Sequence, residues 1–327
     1  MKTIKITAII AALGMIFLVL SLAGCFSDYE GGGTGFRITI IDPDLPAQMG
    51  TSSSARQAAF GYAGDYIVTL TNAFGETITQ GPVFSGTQIV DITFRLAPGP
   101  WTIEIRRGWI DSLTGEFSMT KYGRVKDFQV RTNMVNEVEI VTQSATDVSD
   151  WATFNAIFNQ DDHLSSLKYG GIIFITNDLI ADSTLSFKYE CFTSRADTYT
   201  ILPMGNRKIT SISGTPVFQL PFDDFCTPTV ILGMEDDIVG LDGLIGTLTI
   251  TGGAAPALIE VEHGTLKMNS GVVITGNSTG GGVKINSGAF EMNGGTISGN
   301  TGFDVYIEED ADFTQNGGTI GILDDKN

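Results

Sequence analysis

Basic residues are scarce in this chain: 19 Lys and Arg stand against 37 Asp and Glu. Nucleic-acid binding rests on neutralising phosphates with Lys and Arg, so the imbalance excludes nucleic acid as a partner and disfavours unassisted binding to polyanionic glycans. The deficit deepens along the chain. No arginine follows Arg207, and the lysines beyond it are Lys208, Lys267, Lys284 and Lys326. Histidine is nearly missing, with His163 and His263 alone, and no Cys/His cluster has zinc spacing. Glu308-Glu309-Asp310 with Asp312 offers oxygen ligands of the kind calcium takes, without a full loop motif. Neither a cofactor nor a metal is expected. Gly280-Gly281-Gly282 lies at a turn and not before a helix, so it is no phosphate cradle, and no nucleophile elbow is present. The cysteines are Cys25, Cys191 and Cys226. The last two are left open between a disulfide and two buried thiols, because pairing needs geometry that spacing does not supply.

What is present begins at the N-terminus. Met1 to Lys5 carries two lysines, Ile6 to Leu22 is apolar apart from Thr7, Gly14 and Ser21, and Leu22-Ala23-Gly24-Cys25 closes the run. A basic start, an apolar stretch and small residues at a cut form a secretory signal. The L-A-G-C tetrapeptide resembles the lipobox of bacterial lipoproteins. That resemblance implies cleavage after residue 24, diacylglycerol and palmitate on Cys25, and a membrane partner reached through the lipid anchor. At 17 residues the run is marginal for a membrane span. Residues 25–35, rich in glycine from Gly31 on, read as a flexible tether. Phe26, rather than an acidic residue, after the cysteine points to the outer membrane or cell surface. Removing Lys2 and Lys5 with the signal leaves 17 basic against 37 acidic residues, a net charge of −20.

Residues 36–142 read as short alternating strands. Trp101, Ile103 and Ile105 share one face of a strand while Thr102, Glu104 and Arg106 share the other, after the turn Ala97-Pro98-Gly99-Pro100. Six or seven such strands predict a β-sandwich. The P-G-P-W-T-I-E-I hairpin resembles the Ig-like and transthyretin-like modules of bacterial surface lipoproteins. Residues 143–170 read as a polar linker and then a short helix, with Ser149 or Asp150 as its cap and Trp151, Phe154 and Phe158 on one side. Placed just before a repeat array, such a helix is expected to cover its first coil.

From residue 171 to 327 the chain repeats. Segments starting at Gly246, Gly264, Gly288 and Ala311 align, placing Leu248, Leu266, Phe290 and Phe313 in one column and Ile250, Met268, Met292 and Gln315 in the next. Asn269, Asn293 and Asn316 recur at 24 and 23 residues, as do Ile274, Ile297 and Ile320 at 23 and 23. Ile259/Val261, Val283/Ile285 and Val305/Ile307 form another face. Three short strands per repeat, cornered by Gly, Ser or Asn, predict a right-handed parallel β-helix of about six coils. The corner asparagines predict amide ladders. The run G-G-G-V-K-I-N-S-G-A-F-E-M-N-G-G-T-I-S-G-N resembles the pectin-lyase-like repeats of bacterial surface and adhesin-like proteins. The expected class is therefore all-β: a sandwich, then a short β-helix with a capping helix.

The resemblance implies two enzyme possibilities, and the residues support neither. Lyases of this fold need Arg or Lys beside the uronate, and this half of the chain lacks arginine after Arg207. Glycoside hydrolysis needs two carboxylates facing each other, whereas Asp223/Asp224, Asp236/Asp237 and Glu308/Glu309/Asp310 are adjacent, so on a strand neighbours point apart and a working pair has to come from neighbouring rungs. Arg106, Arg107 and Trp109, placed in a long loop running to Tyr122, are the candidate ligand contacts, since Trp and Arg anchor interfaces and stack on sugars. The sequence thus predicts an exported, lipid-anchored, non-catalytic binding or adhesion protein for glycan or extracellular protein. The alternatives are an envelope spacer and a carbohydrate-active enzyme.

Overall fold

The computed structural model describes residues 34–42, 65–84, 89–110, 117–159, 167, 170–187, 198–220, 227–234, 241 and 244–326. The expected signal segment, Cys25, most of the tether, His163, and Cys191 with Cys226 lie outside them. The described chain is all-β apart from one helix, and none of its helices is long and apolar enough to cross a membrane. It divides into two compact units. One holds the residues up to Arg107 and Gly123–Thr142; the other holds Gly108–Tyr122 and everything from Gln143 on.

The first unit uses β1 (Thr34–Ile41), β2 (Asp65–Asn72), β3 (Thr77–Phe84), β4 (Ile89–Leu96), most of β5 (Gly99–Ile110), the second half of β6 (Phe117–Val130) and β7 (Asn136–Val141). β1 is central in its sheet, antiparallel to β4 from Thr34↔Leu96 to Ile41↔Ile89 and parallel to β7 from Phe36↔Asn136 to Ile41↔Val141. Strand β1 therefore begins within the expected tether. β2 and β3 form an antiparallel hairpin. Period-two alternation decides which residues meet: Phe36, Ile38 and Ile40, Tyr66, Val68 and Leu70, and Trp101, Ile103 and Ile105 enter one shared core. Burying each such side chain contributes about 1.5–3 kcal/mol.

Besides Gly108–Tyr122, the second unit holds β8 (Gln143–Val148), in the stretch expected to be a linker. Its Ala145 and Val148 are fully buried, and it pairs in parallel with β9 (Gly170–Ile175). The helix α1 (Trp151–Asn159) lies between them in sequence. Asp150 is its cap: Oδ1 accepts the Thr153 amide at 2.8 Å. Trp151, Phe154 and Phe158 are buried as the spacing predicts, with ring centroids 5.9 Å from Phe154 to Phe218 and 4.8 Å from Phe158 to Phe187.

Six triplets of strands complete the unit. The first is β9 with β10 (Leu179–Ala181) and β11 (Leu185–Ser186); the second is β12 (Thr198–Pro203), β13 (Gly205–Ser211) and β14 (Phe218–Leu220). The third is β15 (Thr229–Leu232), β16 (Ile245–Gly252) and β17 (Ala257–Val261); the fourth is β18 (Thr265–Met268), β19 (Val272–Thr275) and β20 (Gly281–Ile285). The fifth is β21 (Gly288–Met292), β22 (Thr296–Ile297) and β23 (Val305–Ile307), and the last is β24 (Ala311–Gln315), β25 (Thr319–Ile320) and β26 (Leu323–Asp325). Each triplet donates one strand to each of three parallel sheets, ordered β8-β9-β12-β15-β18-β21-β24, β10-β13-β16-β19-β22-β25 and β11-β14-β17-β20-β23-β26. A chain that revisits the same three sheets on every turn is a β-helix-like fold, with its apolar columns running up the middle.

One alignment drawn from the sequence is corrected. Leu248 and Ile250 do not stand over Leu266 and Met268: β16 belongs to the second sheet, where Leu248 pairs with Val272 and Ile250 with Ile274. The residues over Leu266 and Met268 are Val230 and Leu232. At these rungs the spacing is 24 residues, from Ile250 to Ile274 and from Leu266 to Phe290, whereas Leu248 and Leu266 are 18 apart. An equal residue pattern on strands of two different sheets imitates a repeat.

Two asparagine columns line the corners. The expected one is present: Asn293 Nδ2 donates to Asn269 Oδ1 at 3.2 Å, and Asn316 Nδ2 to Asn293 Oδ1 at 2.9 Å. It starts at Asn269 because the residue one rung earlier is Gly233, which has no amide to offer. The second column is deeper. Asn277, 1% exposed, donates from Nδ2 to the carbonyls of Ala255 at 2.9 Å and Gly281 at 2.8 Å. Its backbone amide is taken by Asn300 Oδ1 at 3.0 Å. Corner glycines turn where a side chain cannot: at Gly295, φ is +81° and an added Cβ would stand 2.5 Å from the Val272 carbonyl oxygen.

Candidate functional site

The outer surface of the third sheet carries the chemistry. Strand alternation sends Ile259, Val261, Val283, Ile285, Val305 and Ile307 inward, so Glu260, Lys284, Tyr306 and Asp324 stack outward in one column, rung above rung. Tyr306 is half-buried, with Lys284 Nζ 5.8 Å from its ring centroid, Lys326 Nζ 5.6 Å from it, and the Phe303 ring 5.4 Å away. Lys326 is itself held by Asp324 at 2.5 Å. Partial burial, then the Glu308 carboxylate, push the Tyr306 hydroxyl above its ordinary range.

Beside the column lies a polar corner. Asn286 Nδ2 donates to Glu262 Oε1 at 2.7 Å, Ser287 Oγ donates to the Glu262 carbonyl, and Ser287 Oγ stands 3.3 Å from His263 Nδ1. The serine has one proton. With that proton on the Glu262 carbonyl, His263 Nδ1 must be the donor in the second contact, so the histidine is not poised to activate Ser287 as a nucleophile. Glu260 is raised above the usual carboxylate range, chiefly by burial and then by the neighbouring Glu262 charge, with Lys284 opposing. The surface is an aromatic ring flanked by two ammonium groups, with the carboxylates of Glu260, Glu262, Glu308 and Asp324 and a His-Ser-Asn corner alongside.

The residues singled out from the sequence are placed differently from expectation. Arg106, Arg107 and Trp109 lie on β5, not in a loop, because the strand continues to Ile110. Neighbours on a strand face opposite ways, and Arg106 and Arg107 do not form one patch. Arg106 pairs with Glu104 at 2.8 Å on the outer face. Arg107 is 3% exposed, its Nη1 2.6 Å from Asp42 Oδ2 and its guanidinium 5.6 Å from the Tyr66 ring centroid. Tyr66 also donates to Asp42 Oδ2 at 3.2 Å, and burial followed by the Asp42 charge raises its hydroxyl far above the ordinary value. Arg107 is thus a core ion pair. The side chain of Trp109, like Cys25, lies outside the described residues.

Reasoning from the sequence missed Glu260, Glu262, Lys284 and Tyr306 as a group. The signal was the 24- and 22-residue spacing from Glu260 to Lys284 to Tyr306, each between two apolar residues of the inward pairs. Glu308, Glu309, Asp310 and Asp312 are not gathered: among the described residues no three His, Cys, Asp or Glu side chains converge as a metal site. No protein-family model, curated protein or solved structure matches the chain.

Proposed function

We propose that this protein is an exported lipoprotein, anchored through Cys25 at the outer membrane or cell surface, that binds glycan or extracellular protein without catalysing a reaction. The first unit is read as an Ig- or transthyretin-like β-sandwich, and the second as a right-handed, pectin-lyase-like parallel β-helix. The observation that carries the binding reading is the Tyr306 ring, turned outward on the third sheet with Phe303 beside it and Lys284 and Lys326 within 5.8 Å of its centroid. An aromatic face stacks on the apolar face of a sugar, and the outward polar rungs beside it suit an extended chain. Trp109 stays as a second candidate contact.

A carbohydrate-active enzyme is the second reading, favoured by one observation. Glu260, its carboxyl raised chiefly by burial, shares a face with Glu262, and two carboxyl groups on one face are what glycoside hydrolysis uses. One experiment separates these readings: the mature chain with Cys25→Ser, probed on a glycan array and assayed for released sugars. Binding lost in Tyr306→Ala but retained in Trp109→Ala supports the solenoid face. Loss only in Trp109→Ala moves the site to β5. Product release abolished by Glu260→Gln supports the enzyme, and silence on the array sinks the glycan version.

A further inference from the structure

The first unit has two distinguishable ends. Asp42 just past β1, Tyr66 at the start of β2 and Arg107 near the end of β5 meet in one buried cluster, so those termini lie together. The opposite end therefore gathers the start of β1, the β2–β3 turn after Asn72, the β4–β5 turn at Ala97-Pro98, and the turn before β7, whose Asn136 pairs with Phe36. That end carries the two most exposed large apolar side chains among the described residues, Phe74 at 91% and Val135 at 81%, with Met134 at 54%.

These residues are held outward by their own turns. Asn72 Oδ1 accepts the amides of Phe74 at 3.0 Å and Glu76 at 2.9 Å, and Gly75 turns at φ +81°. Across the end, the buried Asn136 side chain accepts the Arg131 amide at 2.8 Å and donates to the carbonyls of Arg131 at 2.9 Å and Met134 at 3.1 Å. Two asparagine-pinned turns thus present an aromatic ring, a thioether and a branched aliphatic to the outside at the same end of the unit.

The covalent chain says what meets them. Eight residues, Phe26 to Gly33, separate Cys25 from Thr34, where β1 starts at this same end. A stretch of that length reaches at most about 30 Å when fully extended. β1 itself runs about 26 Å, so the far end of the unit sits that much further from the anchor. We propose that the end bearing Phe74, Met134 and Val135 is seated on the bilayer that holds the Cys25 lipid, with these three side chains in the membrane interface. This rests on the lipid-anchor reading. Aromatic and aliphatic side chains partition into that layer, and insertion would supply a second attachment besides the acyl chains and fix which end of the unit faces the membrane.

The test uses the lipidated mature protein in phosphatidylethanolamine–phosphatidylglycerol vesicles, with and without bromine on the acyl chains. Three single variants carry a reporter: Phe74→Trp, Val135→Trp, and Val141→Trp at the other end of β7, an exposed apolar position. The parent protein gives the background from Trp101, Trp109 and Trp151. The F74W and V135W increments should shift to the blue on reconstitution and be quenched by brominated lipid, and the V141W increment should do neither. If F74W and V135W respond no more than V141W while mass spectrometry shows the diacylglyceryl group on Cys25, membrane seating is overturned and the anchor stands. An unmodified Cys25 overturns the anchor, and this proposal with it.

Discussion

Replacing Asn277 with alanine removes four hydrogen bonds from one buried corner. The side chain donates to Ala255 O and Gly281 O at 2.9 and 2.8 Å and accepts from the amides of Thr279 and Gly280 at 3.3 and 3.2 Å. Thr279 is exposed, so water can replace part of what its amide loses. The two carbonyls face a closed corner, and each buried group left without its partner costs about 1–3 kcal/mol. We expect about 3 kcal/mol for N277A. Asn293 is the control, an amide of the same kind at a corner of the same solenoid, but exposed, and N293A should cost about 1 kcal/mol or less. The assay is urea unfolding followed by far-UV circular dichroism. With an m-value near the upper end of the usual range of about 1–3 kcal/mol/M, N277A lowers the midpoint by about 1 M. N277D keeps both acceptor contacts, cannot donate, and adds a charge, so at neutral pH it should be no better than N277A. Equal midpoint shifts for N277A and N293A would refute the reasoning, because depth would then not govern the cost.

Other expectations come from the charged groups. The raised Glu260 carboxyl means that ionising it works against the fold. Its cost appears as pH rises through the ordinary carboxylate range, so Glu260→Gln should stabilise at pH 7 and lose the advantage in acid; a pH series of melting temperatures checks this. Asp150 is held below its usual range by the Thr153 amide, then the Thr153 hydroxyl. Its contribution is present above the ordinary Asp value and fades as pH falls through the lowered one; Asp150→Ala should cost about 1 kcal/mol near neutral pH by chemical unfolding. Arg107→Ala or Asp42→Ala should each cost about 3–5 kcal/mol by taking the opposite charge away from a buried one. The double replacement Asp42→Leu/Arg107→Met should be milder than either single change, which a double-mutant cycle measures.

Much of the fold was legible because periodicity was strong where burial was one-sided. The alternation of Trp101, Ile103 and Ile105, the Asn269–Asn293–Asn316 column and the aromatic face of α1 all follow from spacing alone. The failures have physical causes. Arg107 is in phase with Trp101, Ile103 and Ile105, and that parity marks it as inward; its charge argued for a surface, and the partners that allow burial, Asp42 and Tyr66, are 65 and 41 residues away. The misplaced Leu248 shows the other limit. A strand's residue pattern says that it is half-buried, and only rung-to-rung spacing says in which sheet. The Tyr306 surface escaped notice because its members are ordinary residues one at a time and acquire meaning only when stacked.

The register of the stacked triplets makes length an adjustable quantity of this chain. Gly288 pairs with Ala311, so residues 288–310 make up one whole coil. Excising them would set Ala311 where Gly288 stands and bring Phe313 onto Leu266, without altering which way any remaining side chain points. Each coil gained or lost changes the stack by about 4.8 Å. A protein built this way can be lengthened or shortened by duplication or deletion in whole coils, with the hydrophobic columns continuing through the splice. Reach then evolves separately from recognition: the former is set by how many coils there are, the latter by which residues one coil turns outward.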